Sequence, residues 1–242
     1  RSSSFNLMLE EKTNSELTIG NKLKLLKNSQ IHQEKMKLLE NSQKYFWGAV
    51  FLIRCDEHTM PFFNKMIEKQ NAGLDVRLLI DRMGSLVGGG KCFKKLKRMG
   101  LNIKRVKKSL RTLWRETKRF GNRKSTAFHP KFWMNESSTA IVDGVNIMNI
   151  HIETTDHNHM YKDTGVLTTG AIVTNLKSMY IDMWKRYVSK TDIYLRSAEV
   201  SIKSLKSIEE QKGLRGNSLY LNEKVPNGAC RVTWQDPLIG DY

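Results

Sequence analysis

His129 and Lys131 stand two residues apart in the stretch Ala127-Phe128-His129-Pro130-Lys131-Phe132. An extended chain places residues i and i+2 on one face, so the spacing predicts that the imidazole and the ammonium project together. That pairing suits phosphate chemistry. A neutral imidazole can attack phosphorus and form a covalent phosphoenzyme, which splits one hard displacement into two easier ones. A lysine beside it supplies positive charge where the transferred oxygens gain negative charge. Asn146, beyond the turn at Gly144, can donate a hydrogen bond to those same oxygens. A bare His-x-Lys recurs by chance in any basic chain, so its weight comes from what surrounds and positions it.

The surrounding elements follow from apolar patterning. Residues 33–41 have the spacing of an amphipathic helix, and 45–54 form a short, continuous apolar run suited to a buried strand. Residues 61–71 have helical spacing and end at Ala72-Gly73, a C-cap signal; 75–80 form another apolar strand. Residues 91–99, closed by Gly100, predict a helix, and 102–106 a strand. Strand alternating with helix in this way is the signature of βαβ units. Three more strands are predicted at 127–134, 139–142 and 164–169, then a helix from 171 to about 188. The fold class expected is α/β, a mixed and mostly parallel sheet flanked by helices. Asp81, Gly84 and Ser85 would then lie at the carboxyl edge of the sheet, where open α/β sheets bind ligands. An alternative role for Asp81 is to cap the turn that follows.

The stretch from His129 to Asn146 resembles the phospholipase D superfamily pattern: His-x-Lys, four spacers, an acid at Glu136, then a Gly-containing strand end and Asn146. The likeness extends outward and is similar to the cardiolipin synthase-like branch. Upstream, Val76-Arg77-Leu78-Leu79-Ile80-Asp81 with Gly84-Ser85 matches its strand and turn. Downstream, Tyr161-Lys162-Asp163-Thr164-Gly165-Val166 and Asp182-Met183-Trp184 match its later strand and helix. The match covers roughly residues 37–188 in consistent order. The resemblance implies a phospholipase D-like fold, His129 as nucleophile or general acid, Lys131 and Asn146 on the phosphoryl oxygens, and Glu136 supporting the histidine network. It implies no cofactor and no metal. It also implies a second histidine from another half-site, because the chain holds one His-x-Lys only. That half would come from residues beyond Tyr242 or from a second copy across a two-fold axis. Two positions depart from the pattern. Glu136 stands where family members usually have Asp, and Asp143 where they usually have Gly or Ser, placing a negative charge near a bound phosphate.

The net charge of +17 and pI near 9.8 favour polyanionic partners. Residues 104–124 hold ten Lys or Arg and one acid, Glu116. Lys107, Lys108, Arg111, Trp114, Arg115, Lys118 and Arg119 would contact an anionic membrane surface or nucleic acid, Trp114 at the interface or stacked on a base. His151, Asp156, His157 and His159 look like metal ligands but lack a partner at ligand spacing, and a polar loop beside the pocket is expected instead. Cys55, Cys92 and Cys230 are odd in number and widely spaced, the pattern of a reducing compartment. No apolar stretch approaches the roughly 20 residues that span a bilayer. The chain starts at Arg1, as a piece of a longer polypeptide would.

Residues 1–30 are expected to be a mobile arm with a weak helix, 31–190 the catalytic half-domain, and 191–242 a linker and the start of a second, incomplete unit. The leading functional expectation is a phosphatidyl-transferring or phospholipid-hydrolysing enzyme at an anionic, peripherally bound membrane surface. A homodimeric nucleic-acid phosphodiesterase and a catalytically silent assembly subunit are the alternatives.

Overall fold

The computed structural model describes residues 3–13, 15–82, 84, 89–106, 128–152, 162–188, 193–214 and 228–232. The chain divides into two compact units, one of residues 1–24 and 168–235, the other of 25–167 and 236–242.

The larger unit carries the alternation expected from the sequence. Helix α2 (Ser29–Glu40) leads to β3 (Tyr45–Val50), α3 (Met60–Asn71), β4 (Asp75–Ile80), α4 (Gly90–Arg98) and β5 (Ile103–Arg105). Then come β6 (Phe132–Asn135), β7 (Thr139–Asp143), a 3-10 turn at Asn149–His151 and β8 (Thr164–Thr169), which continues into the other unit. With β2 (Lys22–Lys27) these strands form a seven-stranded mixed sheet in the order β2-β8-β7-β6-β3-β4-β5. β3, β4 and β5 run parallel, whereas β6 is antiparallel to both β3 and β7.

The sequence explains this arrangement. Five of the six residues in β3 and in β4 are buried, as a central strand covered on both faces requires. Gly48 in β3 stands opposite Trp133 in β6, and a Cβ at that position would run into the indole ring. The absent side chain lets Trp133 fill the core, where Phe46 and Phe62 surround it. Helix α2 packs on β6 and β7, and α3 packs on β4 and beside α2. Helix α3 stops where expected: Gly73 takes φ +95°, with Gly73 N–H bonded to the Gln70 carbonyl and Leu74 N–H to that of Lys69.

The smaller unit holds α1 (Ser3–Thr13), β1 (Leu17–Thr18), α5 (Ile172–Tyr187), α6 (Ile193–Gln211) and β9 (Cys230–Arg231). Two expectations change here. The segment read as a mobile arm forms α1 and β1, and the Arg231 guanidinium donates to the Ser15 carbonyl and to Glu10. Residues 193–211, read as irregular linker, form a helix tied to α5 by Thr174 Oγ1–H donating to Glu209 at 3.0 Å. Residues 230–231 pair antiparallel with β1.

Candidate active site

Strand direction gathers one set of side chains at a single sheet edge. Phe51 follows β3, Asp81 follows β4, Lys131 precedes β6 and Asp143 ends β7, and the antiparallel turns of β6 and β7 bring all four to the carboxyl edge of β3 and β4. There Lys131 Nζ lies 3.2 Å from both ring nitrogens of His129 and donates to the His129 carbonyl at 3.2 Å. Lys131 is 5% exposed, while His129 is an exposed residue. The pair therefore meets, but not by alternation along a strand. β6 starts at Phe132, and the two residues sit on the segment that enters it, because Pro130 between them has no N–H for a ladder.

That entry segment is held from two sides. The buried Asp81 carboxylate accepts the Phe128 N–H at 2.7 Å through Oδ2 and the Gly84 N–H at 2.9 Å through Oδ1. Asp81 thus caps its own turn and tethers the residue before His129. The Phe51 ring lies 4.8 Å from the His129 ring, with Lys131 Nζ 5.8 Å from its centroid. Gly84 is part of the same cradle: a Cβ there would collide with the Phe51 carbonyl oxygen. The Asp-x-x-Gly spacing is the signal for this, and the sequence showed it without showing its target.

Charge around the pair is balanced rather than uniformly positive. Lys35 of α2 is fully buried and places Nζ 3.0 Å from Asp143 Oδ1, aligned as a hydrogen bond, and 2.9 Å from Oδ2. Burial pushes Lys35 down and Asp143 up, and each opposes the shift of the other. Burial also pulls Lys131 down to about 8, against Asp143 and Asp163, which raise it, and with Lys35, which lowers it. Partial burial and the Lys131 charge hold His129 below its ordinary range, and Asp81 acts the other way. Burial and Lys131 thus favour the neutral imidazole, the form that has a lone pair to give. His151, at the end of the 3-10 turn, is lowered by burial and lies in the field of Asp163, Lys35 and Lys131, so it belongs beside the site.

Asn146 is oriented by its Oδ1, which accepts the Leu52 N–H at 3.1 Å. Its amide NH2 remains the end able to donate. The bridge between Ile53 and Ile147 and the Arg54 N–H to Ile147 carbonyl bond fix this loop to the chain that carries Phe51. Glu136 is not brought to the histidine. It follows β6 at the opposite edge, five extended residues or about 16 Å beyond Lys131. There its carboxylate accepts the N–H groups of Gln43 at 2.7 Å and Tyr45 at 3.1 Å, clamping the entry to β3. Asp163 takes a place the sequence reading did not give it: its carboxylate fills the space beside Gly144, where a Cβ would strike it.

The cysteines differ from expectation, since Cys55 and Cys92 form a disulfide that joins the loop after β3 to α4. Cys230 is the free cysteine. Ser85, Lys107, Lys108, Arg111, Trp114, Arg115, Lys118, Arg119, Asp156, His157 and His159 lie outside the described residues. Among the described residues, no three His, Cys, Asp or Glu side chains cluster closely enough to hold a metal, and no helix is long and apolar enough to cross a membrane.

No protein-family model matches the chain. A curated relative, the probable cardiolipin synthase YwiE of Bacillus subtilis (strain 168), is 23% identical over 168 residues, or 69% of this chain and 32% of its own length. The chain thus spans about a third of that relative. Among solved structures, the phospholipase D family member Nuc from Salmonella typhimurium superposes with a TM-score of 0.51 at 9% identity, covering 69% of this chain and 96% of Nuc. Phosphatidylserine synthase of Haemophilus influenzae Rd KW20 gives 0.54 at 13% identity, covering 93% of this chain and 52% of the synthase. The chain thus shares the fold of these phospholipase D-like structures, and over 69% of its length its sequence is similar to that of a probable cardiolipin synthase.

Proposed function

We propose that the chain carries one half of a phosphodiester-transfer centre that works through a phosphohistidine. The observation that carries this reading is Lys131 Nζ held 3.2 Å from an exposed His129 whose neutral form is favoured. An imidazole nitrogen of His129 forms the N–P bond as the P–O bond to the leaving alkoxide breaks. The alkoxide takes a proton from a histidine of the second half. The acceptor alcohol or water then returns a proton to that histidine and attacks phosphorus, breaking the N–P bond. Lys131 and the Asn146 amide hold the oxygens on which charge collects. Glu136 holds the entry to β3 rather than touching substrate. The second half comes from chain beyond residue 242 or from another copy.

The substrate favoured is a phospholipid at an anionic surface, reached peripherally, with Lys107, Lys108, Arg111, Trp114, Arg115, Lys118 and Arg119 on the headgroups. The likeness to a probable cardiolipin synthase and the net charge of +17 support it. Incubation with phosphatidylglycerol vesicles, single-stranded DNA and duplex DNA, beside His129→Ala, tests it. Turnover of lipid, lost in the variant, with a phosphohistidine adduct trapped by mass spectrometry, is expected. Turnover of DNA alone would move the substrate to nucleic acid. Equal activity in parent and variant, or no turnover by a particle whose mass shows two copies, would end the enzymatic reading. The mass of the native particle reports whether a second copy supplies the other half.

A further inference from the structure

A carboxylate at the edge of a phosphate-binding site opposes the bound anion, yet Asp143 ends β7 at that edge. Its surroundings account for it. Lys35 reaches it from α2, both side chains have no exposed surface, and Nζ contacts both oxygens. Asp143 is also joined to the catalytic segment: its backbone N–H donates to the Lys131 carbonyl at 3.1 Å, and its Oδ1 accepts the Val145 N–H at 2.9 Å, next to Asn146. Gly165 of β8 lies directly against it, where a Cβ would come within 2.9 Å of the Asp143 Cβ. A buried ion pair costs in desolvation about what it returns in attraction, so net stability does not explain this one.

We propose that Lys35 and Asp143 are positioning residues that act as one buried, charge-compensated unit behind Lys131, holding the segment that carries Lys131 beside His129. The inference rests on the phosphoryl-transfer reading for what Lys131 is for, but its test needs no turnover. The charged and titratable groups facing Lys131 are His129 on its own segment, Asp143 from β7, Asp163 before β8, Lys35 from α2 and His151 from the 3-10 turn. Asp143 and Asp163 favour the ammonium; Lys35 disfavours it. The two members of the pair therefore pull Lys131 in opposite directions.

The test follows the Lys131 Nζ titration midpoint by nuclear magnetic resonance in isotope-labelled protein. Lys35→Met is expected to raise the midpoint and Asp143→Asn to lower it, each by about one pH unit, the low end of what a neighbouring charge does. Lys35→Met with Asp143→Asn should return it close to the parent. Movement of both single variants in the same direction, or of neither, overturns the proposal. If a single variant fails to fold because a lone charge is left buried, the exchange Lys35→Asp with Asp143→Lys keeps both charges. It should fold and lower the Lys131 midpoint, since a cation now stands where the carboxylate that acts more strongly on Lys131 stood; an unchanged midpoint overturns the proposal. Inorganic phosphate binding to the parent is measured alongside. Its absence would count against the phosphoryl-transfer reading while leaving the midpoints to decide the pair.

Discussion

Replacing Asp81 by asparagine keeps the side-chain shape and changes one carboxylate oxygen to an amide. Asp81 is 4% exposed, and its two oxygens accept the Phe128 N–H at 2.7 Å and the Gly84 N–H at 2.9 Å. Asparagine can satisfy one of these donors; the other meets an NH2 group. One charge-assisted bond weakens to a neutral one, a loss of about 1 kcal/mol, and one buried N–H loses its acceptor, about 1–3 kcal/mol more. The expected destabilisation is about 2–4 kcal/mol, well above the roughly 0.5 kcal/mol of an ordinary surface change. A second readout is independent of the first. The Asp81 charge raises the His129 pKa against burial and Lys131, so its removal should move the His129 titration midpoint lower. Urea unfolding followed by circular dichroism measures the stability, and proton resonance titration of His129 measures the midpoint. A variant within about 0.5 kcal/mol of the parent with an unmoved His129 midpoint would refute the tether between Asp81 and the catalytic segment.

Three other outcomes are expected. Burial raises the Glu136 carboxyl, but the hydrogen bonds from Gln43, Tyr45 and neighbouring N–H groups outweigh it and hold its pKa below 4.5. A depressed acid contributes stability above its unfolded pKa and loses it as pH falls through the folded one. Glu136→Gln should therefore flatten the acid limb of the stability profile and cost about 1–2 kcal/mol at pH 7, while the His129 and Lys131 titrations stay put. His32, lowered to about 4 by burial and by Lys35, binds its proton more weakly when folded than unfolded. Stability is then full above pH 6.5 and falls by up to about 3 kcal/mol toward pH 4, and unfolding of His32→Gln across that range should show a smaller loss. Reducing the Cys55–Cys92 bond, which closes a 37-residue separation, should lower stability by about 4 kcal/mol on the chain-entropy estimate; denaturation with and without dithiothreitol, beside Cys55→Ser, reports it.

The central fold was legible because its strands are buried on both faces. A continuous apolar run at 45–50 and a largely apolar one at 75–80, each followed by a helix and a glycine cap at Gly73 or Gly100, leave little else for the chain to form. The ends of the chain were less so. The segment that forms α1 is polar, and α6 has polar and apolar residues mixed without a strong stop signal, so their order comes from tertiary contacts such as Arg231 with Glu10 and Thr174 with Glu209. The disulfide was hidden for a related reason: 37 residues separate its cysteines, and only the meeting of the β3 loop with the start of α4 brings them together.

At the site, residue type and spacing singled out His129, Lys131 and Asn146 as candidates but could not say at which sheet edge a neighbour would fall. Glu136 is five residues from Lys131 in the sequence, yet along an extended chain that distance carries it across the sheet to the far edge. Asp81 is 48 residues from His129 and arrives at the near edge because β4 runs parallel to β3 and ends beside it. Lys35 was the hardest to see. On an amphipathic helix of mixed charge a lysine reads as solvated, and only the carboxylate of Asp143, contributed from 108 residues away, explains its burial. The departure at Asp143 and the buried Lys35 are thus one feature rather than two. A carboxylate compensated by a buried ammonium differs from an unpaired one, because Lys35 offsets its charge at the sheet edge where Lys131 meets His129.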